Sequence, residues 1–175
     1  MSGQLPETIK PQSLIDNDGH VSGFTALAKM ERLAALLDNS AGTVETQLDF
    51  GRDAQGIRFI RGSIKTELAL NCQRCLETVL YPVDIKLSLG MISSAEKADT
   101  LPDGYEPLIF DSTMLSLTAL IEDELLLALP IVALHPDNVC SASTANNSVA
   151  TEPAAEKPHP FAALAQLKGK LDSTQ

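Results

Sequence analysis

The stretch IRFIRGSIKTELALNCQRCLETVLYPVDIKLSLGM, residues 57–91, decides the fold. Its first half alternates apolar and polar residues, with Ile60 and Ile64 among the apolar positions, and residues 83–91 alternate in the same way. A period of two is typical of a half-buried strand, because successive side chains of an extended chain point to opposite faces. We therefore predict two long strands joined by a hairpin at CQRC.

A third strand precedes this hairpin. Residues 43–50 alternate in the same way, and the turn-rich GRDAQG, residues 51–56, separates them from the next strand. Short connections between consecutive strands predict an antiparallel meander. Ile57 and Phe59 are out of phase with the apolar positions that follow, which predicts a bulge near Gly62.

Two segments carry the helical period instead. Apolar residues recur at spacings of three and four over residues 24–38 and again over 113–129, and Pro130 ends the second segment. We expect an α+β fold, an antiparallel sheet with both helices packed on it. The order of the strands in the sheet does not follow from the sequence.

Composition divides the chain into three parts. Residues 1–140 carry the predicted strands and helices as one domain, whereas residues 141–160 are mostly Ser, Ala, Thr, Asn, Glu and Pro, a composition typical of a flexible linker. In residues 161–175, Phe161 and Leu164 begin a helical spacing of apolar residues. We expect a short C-terminal helix there, which packs on the core or on a partner.

Length and charge exclude several classes of protein. With 175 residues, 44% of them hydrophobic, the chain can bury a core and is not wholly disordered. Its 13 basic and 23 acidic residues give a net charge of −10, which argues against coating nucleic acid through bulk charge. The start does not resemble a secretory signal, and the longest apolar run, residues 125–134, is half the roughly 20 residues that a membrane span needs. We expect a cytoplasmic protein without a membrane segment.

Four of the six Cys and His residues fall into two close pairs. Cys72 and Cys75 form a C-x-x-C at the predicted hairpin, and His135 and Cys140 form an H-x4-C beyond the second helix. Three thiolates and one neutral imidazole suit tetrahedral zinc, and four protein ligands leave no position for water. The spacing therefore predicts a structural zinc site.

Two other interpretations of these residues stay open. A redox C-x-x-C needs a helix directly after it, whereas this one continues toward Pro82 as a strand. Alternatively, Cys72 is only a core-facing strand residue and His135 only a surface imidazole. The sequence offers no convincing catalytic set, so we expect a protein that is not an enzyme.

Basic residues concentrate around the predicted hairpin. Residues 52–86 hold six Lys or Arg against four Asp or Glu. Arg61, Lys65, Arg74 and Lys86 are predicted to form a patch that contacts RNA phosphates, because phosphate oxygens are bound mainly by such side chains. An ordinary solvated sheet face is the alternative.

The second half of the chain is acidic. Between Asp99 and Glu156 there are ten acidic residues and no Lys or Arg. We expect the consecutive Glu122, Asp123 and Glu124 to lie on the solvated side of the second helix. Such a surface favours a basic protein partner through charge complementarity.

Five segments together resemble the YceD family, the large ribosomal RNA subunit accumulation proteins. They are NCQRCLETV at 71–79, YEP at 105–107, IEDELLLALPIVALH at 121–135, Cys140 and PFAALAQLK at 160–168. The resemblance implies a non-enzymatic factor for the synthesis, processing or stability of the 23S ribosomal RNA. Its implied partners are that RNA or its precursor, directly or indirectly, or a basic ribosomal protein or assembly factor.

The sequence differs from some members of this family in one motif. Some relatives carry a second C-x-x-C late in the chain, where this sequence has His135 and Cys140. The family supplies no catalytic residues to carry over.

Overall fold

The computed structural model describes residues 3–136 and 139–140, and its centre is a sheet of long strands. In chain order the elements are β1 (Gly3–Gln4), β2 (Thr8–Ile9), α1 (Pro11–Asp16), β3 (His20–Ala26), a 3₁₀ helix (Leu27–Lys29), α2 (Glu31–Ala34), β4 (Thr43–Arg52), β5 (Arg58–Asn71), β6 (Thr78–Ile92), a 3₁₀ helix (Ala95–Thr100), β7 (Glu106–Ile109), β8 (Leu115–Ser116) and α3 (Leu117–Ala128). The main sheet has the order β1-β3-β4-β5-β6-β7, and β2 pairs with β8 in a second, two-stranded sheet. The α+β class is confirmed.

The main sheet is mixed, so the predicted antiparallel meander is not confirmed. β3, β4, β5 and β6 pair antiparallel in consecutive order, but β1 lies parallel to β3 and β7 lies parallel to β6. The edge strands β1 and β7 have two and four residues. Strands this short carry no readable alternation, which is why sequence periodicity did not reveal them.

The β5–β6 hairpin is regular along its whole length. Pairing runs without interruption from Phe59 opposite Gly90 to Asn71 opposite Thr78, so the predicted bulge near Gly62 is wrong. A Cβ on Gly62 would lie 1.9 Å from the backbone oxygen of Gln47. Gly62 therefore serves the close approach of two strands, which is the other common reason for a glycine inside a strand.

Helix α3 covers the inner face of the sheet. Leu117, Ile121 and Leu125 are fully buried, as the helical spacing requires. The helix begins later than predicted, because the residues just before it are held in β8, and Ser116 caps it by accepting a hydrogen bond from the Ala119 N–H at 3.2 Å. It ends at Ala128, before Pro130.

The helix predicted over residues 24–38 is wrong. Its first residues complete β3, and a 3₁₀ turn and the four-residue α2 follow. Leu27, Met30 and Leu33 are nevertheless all fully buried. A 3₁₀ turn has a period of three, so it aligns residues spaced by three as well as an α-helix does.

Two sequence expectations fall outside this description. The predicted linker at 141–160 and the predicted helix at 161–175 lie beyond the described residues. Among residues 3–136 and 139–140, none of the helices has the length and apolar character needed to cross a membrane.

Candidate metal centre

The β5–β6 hairpin presents Cys72 and Cys75 in a tight turn, as the sequence predicted. The Leu76 N–H donates to the Cys72 carbonyl at 2.8 Å, and the Cys72 N–H donates to the Glu77 carbonyl at 2.9 Å. Leu76 adopts a φ of 63°, in the left-handed region that few residues other than glycine enter. This closed turn places both thiols at the end of the hairpin.

The chain beyond α3 returns to this turn and brings the other two residues. The Gln73 N–H donates to the Ala133 carbonyl at 2.8 Å, and the His135 N–H approaches the Cys72 sulfur at 3.4 Å. The ligand atoms of Cys72, Cys75, His135 and Cys140 all lie within 4.8 Å of one another. The fold thus gathers the four residues that the sequence paired by spacing.

The donor set and its orientation fit a tetrahedral metal. Zn–S bonds of about 2.3 Å imply sulfur atoms about 3.8 Å apart, and the ligand atoms of the cluster all lie within 4.8 Å of one another. The Nδ1 of His135 lies 3.3 Å from the Cys75 sulfur, while Nε2 lies 3.1 Å from the Thr78 carbonyl. A carbonyl accepts but cannot donate, so Nε2 carries the proton. Nδ1 is thereby left as the nitrogen that could bind a metal, the arrangement usual for metal-binding histidines.

The cluster favours the thiolate form of Cys72. Burial of this side chain opposes ionisation, but the backbone N–H groups of Cys75, His135 and Arg74 lower its pKa to about 5. The pKa of His135 is raised, chiefly through its hydrogen bond with Cys72 and against the effect of burial. A buried thiolate is ready to bind a soft cation without first losing a proton.

Arg74 lies at this cluster and not at the sheet face where RNA contact was expected. Its Nε donates to the Cys140 sulfur at 3.0 Å and its Nη2 to the His135 carbonyl at 2.9 Å. With a divalent cation bound, three thiolates and a neutral imidazole would leave one negative charge, which the guanidinium of Arg74 would balance. Its two hydrogen bonds also join the hairpin to the segment beyond α3.

The other three predicted RNA-binding residues lie together on the outer face of the sheet. Cross-strand pairing places Lys86 opposite Ser63, between Arg61 and Lys65. The same face carries four acidic residues, which lie opposite the basic residues on neighbouring strands or two positions along β5: Glu45, Asp49, Glu67 and Asp84. Lys65 forms an ion pair with Asp84 at 3.2 Å. The four basic residues therefore do not form one patch. Three of them share the outer face with four acidic residues.

The guanidinium of Arg61 packs against two aromatic rings. It lies 4.5 Å from the centre of the Phe59 ring and 4.9 Å from that of Tyr105, and it donates to the Tyr105 hydroxyl. The same hydroxyl donates to Asp53 at 2.9 Å. This network fixes the loop before β7 to the outer face of the sheet.

The three consecutive acids of α3 have different surroundings. Glu122 is only 7% exposed, so the expectation that it lies on the solvated side is wrong. It accepts hydrogen bonds from the Arg32 N–H at 2.7 Å, the Leu33 N–H at 3.1 Å and the Arg32 Nη2 at 2.8 Å. Asp123 is exposed and bonds Arg32 as well, at 2.8 Å, whereas Glu124 is half-buried. No sequence pattern indicated Arg32, because it lies 90 residues from Glu122 in the chain and joins no local motif.

Comparisons with known proteins agree with the resemblance. The profile of the family described as "Large ribosomal RNA subunit accumulation protein YceD" matches residues 60–168. The chain is 33% identical over 170 residues to the large ribosomal RNA subunit accumulation protein YceD of Haemophilus influenzae (strain ATCC 51907 / DSM 11121 / KW20 / Rd), covering 95% of this chain and 98% of that protein. No solved structure matches the chain. The chain therefore belongs to the YceD family.

Proposed function

We propose that this protein is a non-enzymatic ribosome biogenesis factor that acts in the cytoplasm on the synthesis, processing or stability of 23S ribosomal RNA. The observation that carries the proposal is the similarity to a large ribosomal RNA subunit accumulation protein over 95% of the chain. The similarity extends over nearly the whole chain, and residues 60–168, which the family profile matches, contain β6, α3 and the four residues of the cysteine cluster. It supports a function of the whole fold.

The cysteine cluster supports a structural role for a metal. We propose that Cys72, Cys75, His135 and Cys140 hold one zinc ion, which supplies bonds between the hairpin and the segment after α3. Four protein ligands leave no position for water or substrate, so the site has no catalytic capacity. This agrees with a factor that is not an enzyme.

The amount of 23S ribosomal RNA tests the proposed function. The gene is deleted in the host bacterium, and the ratio of mature 23S to 16S RNA is measured with and without a plasmid copy. We expect the ratio to fall on deletion and to recover with the plasmid. An unchanged ratio and unchanged precursor levels in the deletion strain would contradict the proposal.

A second function, the escort of a basic ribosomal protein or assembly factor, is favoured by the electrostatics of α3. Burial raises the pKa of Glu124, and the neighbouring carboxylates of Glu106 and Asp123 raise it further. A cationic partner would relieve this repulsion. Digestion with nuclease separates the two functions, because a complex that survives complete removal of RNA is held by protein.

We favour an indirect route to the RNA over the direct contact predicted for Arg61, Lys65 and Lys86. Because acids alternate with these cations on the outer face, we expect reversal of Arg61 and Lys65 to Glu to change RNA affinity little. A lower affinity with a shallower salt dependence would instead establish phosphate contact at this face.

A further inference from the structure

Exposed apolar side chains concentrate where α3 ends. Ile131 is fully exposed and Leu127 is 81% exposed. Three further large apolar side chains with about half of their surface exposed belong to the same end: Leu36, Val132 and Leu134. Single exposed apolar residues are normal, but a group of them on one surface marks an interaction site.

A groove runs through this surface. Its volume is about 290 Å³, and Leu36, Leu70, Leu129 and Ile131 contribute its apolar lining. The chain after α3 forms one wall, which the Gln73–Ala133 hydrogen bond fixes to the hairpin. The groove is therefore preformed, and little ordering entropy opposes binding in it.

The last turns of α3, which lead into the groove, carry negative charge around Leu127. Asp123 and Glu124 precede Leu127 by four and three residues, so both lie one turn from it on the same side of α3. Arg32, which contacts Asp123, is already shared with the buried Glu122. No Lys or Arg occurs from Asp99 to the end of the described residues. Such a surface repels RNA phosphates and attracts cations.

We propose that Leu36, Leu127 and Ile131, with Asp123 and Glu124 beside them, bind a positively charged protein segment that carries apolar side chains. The inference rests on the proposed function, because it takes the partner to be a basic protein of the large ribosomal subunit. The apolar side chains of the partner enter the groove, and its Lys and Arg face the carboxylates. This is how amphipathic segments are recognised in apolar grooves.

Binding to ribosomal proteins tests the surface. The full-length protein is immobilised and exposed to the total protein of the 50S subunit, extracted free of RNA, and each retained protein is identified and then titrated in purified form. We expect Leu127→Ser with Ile131→Ser to weaken binding of a retained basic protein at least about tenfold, as removal of central apolar anchors does. Both side chains are exposed in the free protein, so the fold should persist. Ile109→Ser with Met114→Ser, at exposed apolar residues elsewhere, is the matched control and should bind normally.

Three results would overturn the inference. The first is equal affinity of the Leu127/Ile131 variant and the wild-type protein, and the second is retention of no 50S protein by the wild type. The third is a change in sedimentation of the free protein on Leu127/Ile131 substitution, which would assign the surface to a second copy of the chain. The ratio of 23S to 16S RNA separates the two proposals. If deletion alone leaves it unchanged, the proposed function fails, whereas full recovery with the Leu127/Ile131 variant contradicts only the docking surface.

Discussion

The end of the molecule that holds the cysteine cluster and the outer face of the sheet differ in which residues surround their charged groups. At the cluster, Arg74 adds its positive charge to three cysteine sulfurs gathered from two distant segments. On the outer face, Lys65 and its cationic neighbours are spread among carboxylates of adjacent strands. Which charges lie close together therefore depends on strand pairing and on the return of the chain after α3 to the hairpin. Counting charges along the sequence does not predict it. The cluster end is therefore the region that we expect to have a specific binding function.

The largest expected effect is loss of the metal from the cluster. We expect one zinc per chain in protein purified under reducing conditions, and less than about a tenth of that in Cys72→Ser and His135→Ala, because three ligands hold structural zinc poorly. Metal mass spectrometry measures the ratio. His20→Ala, at an exposed histidine bonded to Asp49 on the outer face, is the control and should keep its zinc. Wild-type protein without zinc would remove the proposed metal site.

The next effect concerns the buried carboxylate of α3. Glu122→Ala should lower the free energy of unfolding by about 2–3 kcal/mol, because it leaves two backbone N–H groups without their acceptor and removes the buried partner of Arg32. Asp123→Ala, which removes an exposed contact of the same arginine, should cost less than about 1 kcal/mol. Urea unfolding compares the two variants. Equal losses would show that burial of Glu122 does not set its contribution.

The same carboxylate gives a prediction for pH. Burial by itself would raise the pKa of Glu122, but hydrogen bonds from Arg32 and Leu33 lower it below the ordinary value. Because folding lowers this pKa, Glu122 contributes its full share to the free energy of unfolding above its ordinary pKa of 4.5. That share is lost as the pH falls through the lowered pKa of the folded state. Urea unfolding between pH 6 and pH 3 should therefore show a smaller acid dependence in Glu122→Gln than in the wild type. Parallel curves would refute this role.

Arg74 should tune the metal site by a smaller amount. Arg74→Gln removes the balancing charge and the donor to the Cys140 sulfur, so we expect zinc affinity to fall about 10–100-fold, as for other groups that orient metal ligands. Competition with a chelator measures the affinity. Arg58→Gln, at an arginine that begins β5 at the opposite end from the cluster and bonds Gln12, is the control. If both variants bind zinc like the wild type, Arg74 does not contribute to the site.

The smallest effect is expected on the outer face. Lys65→Ala breaks an exposed ion pair with Asp84, both side chains being 56% exposed, and should change the free energy of unfolding by less than about 1 kcal/mol. Thermal unfolding detects larger changes. A loss comparable to that of Glu122→Ala would show that this exposed ion pair contributes as much as the buried carboxylate.

How far the sequence predicted this molecule depended on whether the signal was local. Alternation located the three long strands, and the two spacings of Cys72 with Cys75 and of His135 with Cys140 predicted a cluster that the fold does assemble. The bond between Glu122 and its arginine joins residues 90 positions apart, and no local pattern records it. Sequence also could not tell an α-helix from a 3₁₀ turn around Met30, since both bury residues spaced by three.

The most direct test compares the docking surface at the end of α3 with the outer face of the sheet in the cell. The ratio of 23S to 16S RNA is measured in the deletion strain supplied with the wild type, with Leu127→Ser and Ile131→Ser, or with Arg61→Glu and Lys65→Glu, all at equal protein levels. We predict that the outer-face variant restores the ratio and that the Leu127/Ile131 variant does not. Recovery with the Leu127/Ile131 variant together with failure of the outer-face variant would contradict the account and assign the function to RNA contact at the sheet.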